Sequence, residues 1–201
     1  MLVEERCWLV KIIKLSLVAS FLILTSCTTV SSVTSIVGNA SISEKGFAKT
    51  VEDTLLMSKI IARLSTLEIS NLTKIKLSIT YGEVLVVGFA ESQKKRFQII
   101  NEIWKFKGVT KIYNEIEIGE GPNFSEITED LYLETKLKSK LLFKSGVMSN
   151  NYSINVVKRK AYVMGVATSL DEKSLVEQFL KNQGEIGKLI TIILLPRQTN
   201  E

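Results

Sequence analysis

One thiol sits where chemistry could be done on it. Cys27 follows Leu24, Thr25 and Ser26 at the end of an apolar run from Leu15 to Leu24, and Arg6, Lys11 and Lys14 make the stretch before it basic. About ten apolar residues are too few to span a bilayer but match the apolar part of a signal peptide, and small residues ahead of a cysteine let a peptidase cut there. Cleavage would make Cys27 a new N-terminus. The rest of the chain offers little else that is reactive. Cys7 would leave with the signal, and there is no histidine anywhere. The folded part is therefore expected to hold no disulfide, thiol nucleophile, metal or cofactor, and it lacks the commonest general base. The closest carboxylate pairs, Asp171 with Glu172 and Glu115 with Glu117, fall at an expected helix start and strand edge. Exposed carboxylates there would not be tuned for acid or base work, so no catalysis is expected.

The segment ending at Cys27 resembles the lipobox of bacterial lipoproteins, whose cysteine carries the lipid. The resemblance implies a signal peptide over residues 1–26 and a lipidated Cys27. Thr28, rather than aspartate, follows the cysteine, which by the same resemblance implies the outer membrane, facing the periplasm. Glu4 and Glu5 are unusual in a signal, so a start codon downstream of Met1 stays open. An uncleaved anchor or a buried N-terminal helix is the competing reading. Without residues 1–26, Lys and Arg fall from 26 to 23 and Asp and Glu from 21 to 19. A chain so mildly basic is not expected to bind nucleic acid. Residues 27–49, rich in Ser and Thr with no periodicity, read as a tether reaching about 25 Å root-mean-square if flexible. The Asn-x-Ser/Thr triplets at Asn39, Asn71, Asn123 and Asn151 read as chance.

The remainder is a duplication with an offset of 77 residues and no gap. It pairs Asp53 with Asp130, Leu56 with Leu133, Ile60 with Leu137, Val86 with Val163, Gly88 with Gly165 and Ile116 with Ile193. Gly119 to Asn123, with one of the two prolines, joins the copies. Leu56, Ile60 and Leu64, like Leu133, Leu137 and Leu141, predict a first helix with one apolar stripe, started by Asp53-Thr54 or by Thr128 to Asp130. Alternating strands follow on either side of Tyr81-Gly82-Glu83 and of Lys158-Arg159-Lys160. Both pairs read as hairpins with one buried face. A second helix carries Ile99, Ile103 and Phe106, or Val176, Phe179 and Leu180. A last strand, Ile112 to Ile118 or Leu189 to Leu195, closes each copy. The predicted class is α+β, each copy a three-stranded sheet with two helices on one face, packed on its twin.

The order helix, strand, strand, helix, strand, the glycine closing the second strand and Gly108-Val109-x-x-Ile112-x-Asn114 together resemble the BON domain. Two such domains behind a lipobox resemble the dual BON-domain outer-membrane lipoproteins. The implied organisation is a first domain over 50–119, a linker over 120–124 and a second domain over 125–197. Gly88 and Gly165 match the family glycine, expected where a backbone comes close. The second copy departs at Glu185-Ile186-Gly187 and at Thr191, which puts its last turn in doubt. The resemblance implies a non-enzymatic role at phospholipid surfaces and with envelope proteins, supporting outer-membrane integrity. It places lipid contact on the first helix of the second domain. There Tyr132, Lys136, Lys140 and Lys144 are four apart, beside Lys138, Leu142 and Phe143. Tyr132, Lys136, Lys140, Phe143 and Lys144 are thus the expected headgroup contacts, on a face opposite Leu133, Leu137 and Leu141, and the partner is an anionic phospholipid membrane. A plainly solvated lysine face is the alternative. Lys158-Arg159-Lys160 and Lys94-Lys95-Arg96 read as a turn and a helix start, and Trp104 as core or interface filler. The rival function is a protein adaptor that exposes a sheet face or strand edge to an envelope assembly and meets the membrane only through Cys27.

Overall fold

The computed structural model describes residues 47–67 and 75–196. Cys27, the signal, most of the tether and residue 197 lie outside them. The elements run α1 Phe47–Ser65, β1 Ile75–Thr80, β2 Glu83–Ala90, α2 Gln93–Trp104 and β3 Lys111–Ile118 in the first unit. The second unit has α3 Phe124–Leu142, β4 Tyr152–Val157, β5 Lys160–Val166, α4 Leu170–Lys181 and β6 Lys188–Leu194. Helix α1 begins inside the span expected to be tether, and α3 begins inside the expected linker. No helix among the described residues is long and apolar enough to cross a membrane.

Each unit holds a three-stranded sheet with its second strand in the centre, antiparallel to the first and parallel to the third. The 77-residue offset is kept in the pairing, with Ile79 opposite Val84 and Val156 opposite Ala161. Leu56, Ile60 and Leu64 of α1 and Ile99 and Ile103 of α2 pack on Val84, Val86 and Ile116. Leu133, Leu137, Leu141, Val176 and Leu180 repeat that core against Ala161, Val163 and Ile193.

Both hairpins form and the two units pack on each other as expected, but the expectation of a single buried face is overturned. Leu85, Val87 and Phe89, on the face of β2 turned from the helices, form a third core with Val157, Tyr162, Met164 and Ile192. The two sheets therefore pack face to face with helices outside, and the central strands β2 and β5 are buried on both faces. Burying a side chain of this size contributes about 1.5–3 kcal/mol, so the shared core is a major source of stability for two units that are each small. The Ser78 hydroxyl is paired across the joint: its Oγ accepts from Ser153 Oγ at 2.7 Å and from Asn155 Nδ2 at 2.8 Å. Lys160 is paired with Glu117 across the joint. Burial, then Glu117 and Glu115, pushes the Tyr162 hydroxyl up to about 12.

Side chains also occupy single backbone groups on the edge strands. Glu134 of α3 accepts from the Val156 N–H at 3.1 Å, and Lys76 Nζ donates to the Val156 carbonyl at 3.0 Å and to Glu134 at 2.7 Å. One carboxylate and one ammonium thus occupy the outer groups of β4 at Val156, which another strand would otherwise pair with. The third strands carry a repeated device: Arg96 donates to the Ile116 carbonyl and Lys173, 77 residues on, to that of Ile193.

Two sequence-based helix starts need correction. Asp53 and Asp130 are buried inside α1 and α3 and do not begin them. Asp53 accepts from the amides of Tyr81 and Gly82, both at 2.9 Å, and Asp130 from those of Lys158 and Arg159 at 2.6 and 2.8 Å. These pairs are two-residue turns with positive φ at both positions, shorter than the three-residue turns expected. The start of α3 is set instead by a capping box between Asn123 and Glu126.

The last turn of the second unit keeps its geometry despite its altered sequence. Gly187 N–H donates to the Arg159 carbonyl at 2.8 Å, as Thr110 N–H does to that of Gly82 at 2.9 Å. What changes is local: Asn114 Oδ1 accepts from its own strand at Ile116, whereas Thr191 reaches Glu177.

Candidate functional site

Helix α3 has two apolar stripes. Leu133, Leu137 and Leu141 face the core, and Phe124, Ile127, Leu131 and Leu142 recur at helical spacing about a third of a turn away, on the flank towards β4, where all are exposed. Tyr132 and Phe143 stand on the shoulder of that outer stripe, and Phe143, at the helix C-cap, is 84% exposed. Beside it a groove of about 400 Å³ runs between α3 and the start of β4, lined by Thr135, Lys138, Ser139, Leu142, Ser149 and Tyr152. Lys138 is held over this region by Glu134 at 2.7 Å.

The lysines singled out by spacing do not share the face opposite the core. Lys136 Nζ lies 2.7 and 3.0 Å from the two carboxylate oxygens of Glu185 and 5.5 Å from the centre of the Tyr132 ring. Lys140 Nζ donates to Gln183 at 2.7 Å, and Lys144 Nζ sits 5.3 Å over the Phe179 ring. All three run along the seam between α3 and the chain from Phe179 to Glu185. The hydrogen bond to Glu185 raises the Lys136 pKa, and the Glu185 carboxyl is lowered by the same bond. Their charges lie on the flank of α3 turned to this segment, about half a turn of the helix away from the outer stripe, beside which Lys138 stands instead. The predicted set of five thus divides into Tyr132 and Phe143, which reach solvent, and Lys136, Lys140 and Lys144, which are turned to Glu185, Gln183 and Phe179.

The remaining residues read from sequence fall as follows. Gly88 lies in β2 between Ile75 and Ile116 with φ +139, a conformation that side chains resist. Gly165 is constrained by space: an added Cβ would come 2.3 Å from the Asn151 carbonyl oxygen. The Lys158-Arg159-Lys160 tip is a turn, its cations placed over the Phe89 ring at 5.0 Å, on the Glu185 carbonyl and on Glu117. Lys94, Lys95 and Arg96 occupy the first turn of α2, capped by Ser92. Trp104, expected to be core or interface filler, is 49% exposed, and with the exposed Phe97 it forms a short aromatic stripe on α2.

Glu172, expected to be exposed, is buried. Burial raises its carboxyl, but hydrogen bonds from the Thr168 hydroxyl and amide at 2.7 Å and from the Met148 amide at 2.8 Å outweigh that and hold it low. Its task is to tie the loop before β4 to α4. Among the described residues no group of His, Cys, Asp or Glu could hold a metal ion.

Residues 52–120 match the family model of the BON domain. The chain is 27% identical over 124 residues to an uncharacterized protein in the gshII 5′ region of Anaplasma centrale, covering 61% of this chain and 82% of that one. It is 26% identical over 144 residues to the 21 kDa hemolysin of Actinobacillus pleuropneumoniae, covering 71% and 74%. Among solved structures, that of CdsD, a structural protein of the type III secretion system of Chlamydia trachomatis, aligns over 70% of this chain and 91% of that one at 11% identity with a TM-score of 0.27.

Proposed function

We propose that this chain, which carries a BON domain over residues 52–120, is a non-enzymatic lipoprotein with two such domains, anchored through Cys27 to the outer membrane and facing the periplasm. There, α3 of the second domain rests on an anionic phospholipid surface and supports outer-membrane integrity. The second domain is inferred from the repeated element order and the repeated Asp-to-turn bonds of Asp53 and Asp130. A relative named a hemolysin is in keeping with work at a membrane, and lysis itself is not carried over.

The observation that carries the reading is the outer surface of α3, where Phe124 is 85% and Phe143 84% exposed among the described residues. A helix that buries its core stripe and still offers a second apolar stripe, with Lys138 beside it, has the makings of an interfacial helix. A lysine near an anionic surface contributes about 1 kcal/mol, so Lys138 beside the stripe helps only in concert with the apolar contacts. Lipidation at Cys27 would make weak contact sufficient by raising the local concentration.

The test is co-sedimentation of the unlipidated protein from Thr28 onward with vesicles containing or lacking anionic lipid. Wild type is expected to sediment with anionic vesicles, less so as salt rises. The double substitution Leu131→Ser, Phe143→Ser should weaken binding by about tenfold or more, because each side chain loses roughly 1.5–3 kcal/mol of apolar transfer. Both are exposed, so the melting temperature should not move. Unchanged binding by the double variant would move the membrane contact off α3. It would favour a protein adaptor, for which Phe97 and Trp104 on α2 supply a separate exposed aromatic stripe. An adaptor could not use the faces of its sheets, because each covers the other.

Anchoring has its own test. Cys27→Ser should release the full chain from washed membranes. A single acyl chain gives only marginal binding at about 0.8 kcal/mol per buried CH₂, and no lysine cluster here matches two chains. Full retention of that variant would remove the lipid anchor from the reading.

A further inference from the structure

The duplication lets one copy be read against the other. In the second copy Lys136 is answered by the Glu185 carboxylate, and the Arg159 guanidinium donates to the Glu185 carbonyl at 3.0 Å. Moved back by 77 residues, these three positions are Lys59, Gly108 and Gly82. The first copy keeps the lysine and has neither the carboxylate nor the arginine. It gains a further lysine, Lys107, where the second copy has Gly184.

At this place the first copy has a pocket of about 240 Å³ between α1 and the backbone of Gly82 and Gly108. The two glycines pack closely: a Cβ on Gly82 would stand 2.2 Å from the Gly108 carbonyl oxygen. The charges lining the pocket sort cleanly. Lys49 is paired with Glu52 at 2.7 Å, and both Asp53 oxygens accept from the turn amides. Lys59 and Lys107 remain, both exposed and neither with a hydrogen bond or ion pair among the described residues. Leu55 forms an apolar lip beside them.

We propose that this pocket binds a phosphate group, held by Lys59 and Lys107 where the second copy uses its own Glu185 carboxylate. Two ammonium groups with three donors each suit an anion that presents several oxygens, and charge-assisted bonds of this kind are the strong ones. The volume is below the roughly 300–1,000 Å³ of a pocket for a drug-sized ligand, which fits a small anion. A free phosphate monoester and the phosphodiester of a lipid headgroup share this chemistry. The inference stands apart from the membrane contact of α3, which lies in the other unit.

The test uses the full chain in neutral detergent micelles, with isotopically labelled amides followed by NMR while inorganic phosphate is added against chloride at matched ionic strength. A parallel titration uses glycerophosphoglycerol, the soluble form of an anionic headgroup. Saturable shifts at Leu55, Gly82 and Gly108 are expected, and Lys59→Gln with Lys107→Gln should weaken them by about tenfold or more. The pair Lys94→Gln, Lys181→Gln should leave them unchanged. Saturation by phosphate alone assigns a free ligand, and saturation by glycerophosphoglycerol assigns a headgroup; either supports the site. Shifts that never saturate, or that survive in the Lys59, Lys107 variant, overturn it. Both lysines are exposed, so the variant should keep its remaining amide spectrum. No vesicles are involved, so the result is independent of α3.

Discussion

Gly165→Val is expected to cost the second unit about 3 kcal/mol or more, a larger loss than Val163→Ala two residues away. The reason is geometric. A Cβ at position 165 would lie 2.3 Å from the Asn151 carbonyl oxygen, 2.7 Å from Tyr152 Cδ1 and 2.9 Å from Tyr152 Cα. Two of those atoms are backbone and cannot rotate away. Position 152 is also the register partner of 165 in the β4–β5 pairing, so relief would require β4 to leave its ladder. Val163, by contrast, is fully buried on the helix face, and trimming it leaves a small void worth roughly 2 kcal/mol. For a domain of this size each kcal/mol shifts the melting temperature by about 4–8 °C, so thermal unfolding separates the two variants easily. A glycine variant that melts with wild type would mean that β4 and β5 are not paired in this register.

The glycines show how far the sequence could be read. The offset alone marks Gly88 and Gly165 as equivalent, and the strand placement it implies holds. Their physical reasons differ, however: Gly88 takes φ +139, whereas Gly165 has an ordinary backbone and no room. The core stripes of the helices were legible because residues four apart share a helix face. The sheet-to-sheet joint was signalled too, by the nearly unbroken apolar runs from Val84 to Phe89 and from Ala161 to Val166. Such runs mean a strand buried on both faces, and reading them as simple alternation discards Leu85, Val87, Tyr162 and Met164. The lysine stripe failed for another reason. Spacing puts Lys136 and Lys140 on one helix face but is blind to Glu185 and Gln183, which lie 49 and 43 residues further on. The outer stripe of α3 follows the same helical rule as the core stripe, so only burial tells them apart.

Asp53→Ala is expected to destabilise the first unit by about 3 kcal/mol or more, and Asp130→Ala the second unit by less. Each aspartate makes two charge-assisted bonds to adjacent turn amides, and a bond to a charged group contributes about 1.5–3 kcal/mol. The difference comes from what removal leaves behind. Tyr81 and Gly82 are both buried, so their amides would be stranded away from water. Lys158 is half-buried and Arg159 exposed, so water can replace the lost carboxylate there. Alanine is also the better helix former at a mid-helix position, which returns a few tenths of a kcal/mol in both variants and does not alter their order. Asp53→Asn, which keeps one side-chain oxygen as an acceptor, should fall between wild type and Asp53→Ala. Urea unfolding with amide hydrogen exchange at the two turns reads out each unit, since protection of Tyr81 and Gly82 should fall furthest in Asp53→Ala. An Asp130→Ala loss equal to or above that of Asp53→Ala would mean that the positive-φ strain at Lys158 and Arg159, and not burial of the amides, decides how much each aspartate stabilises its hairpin.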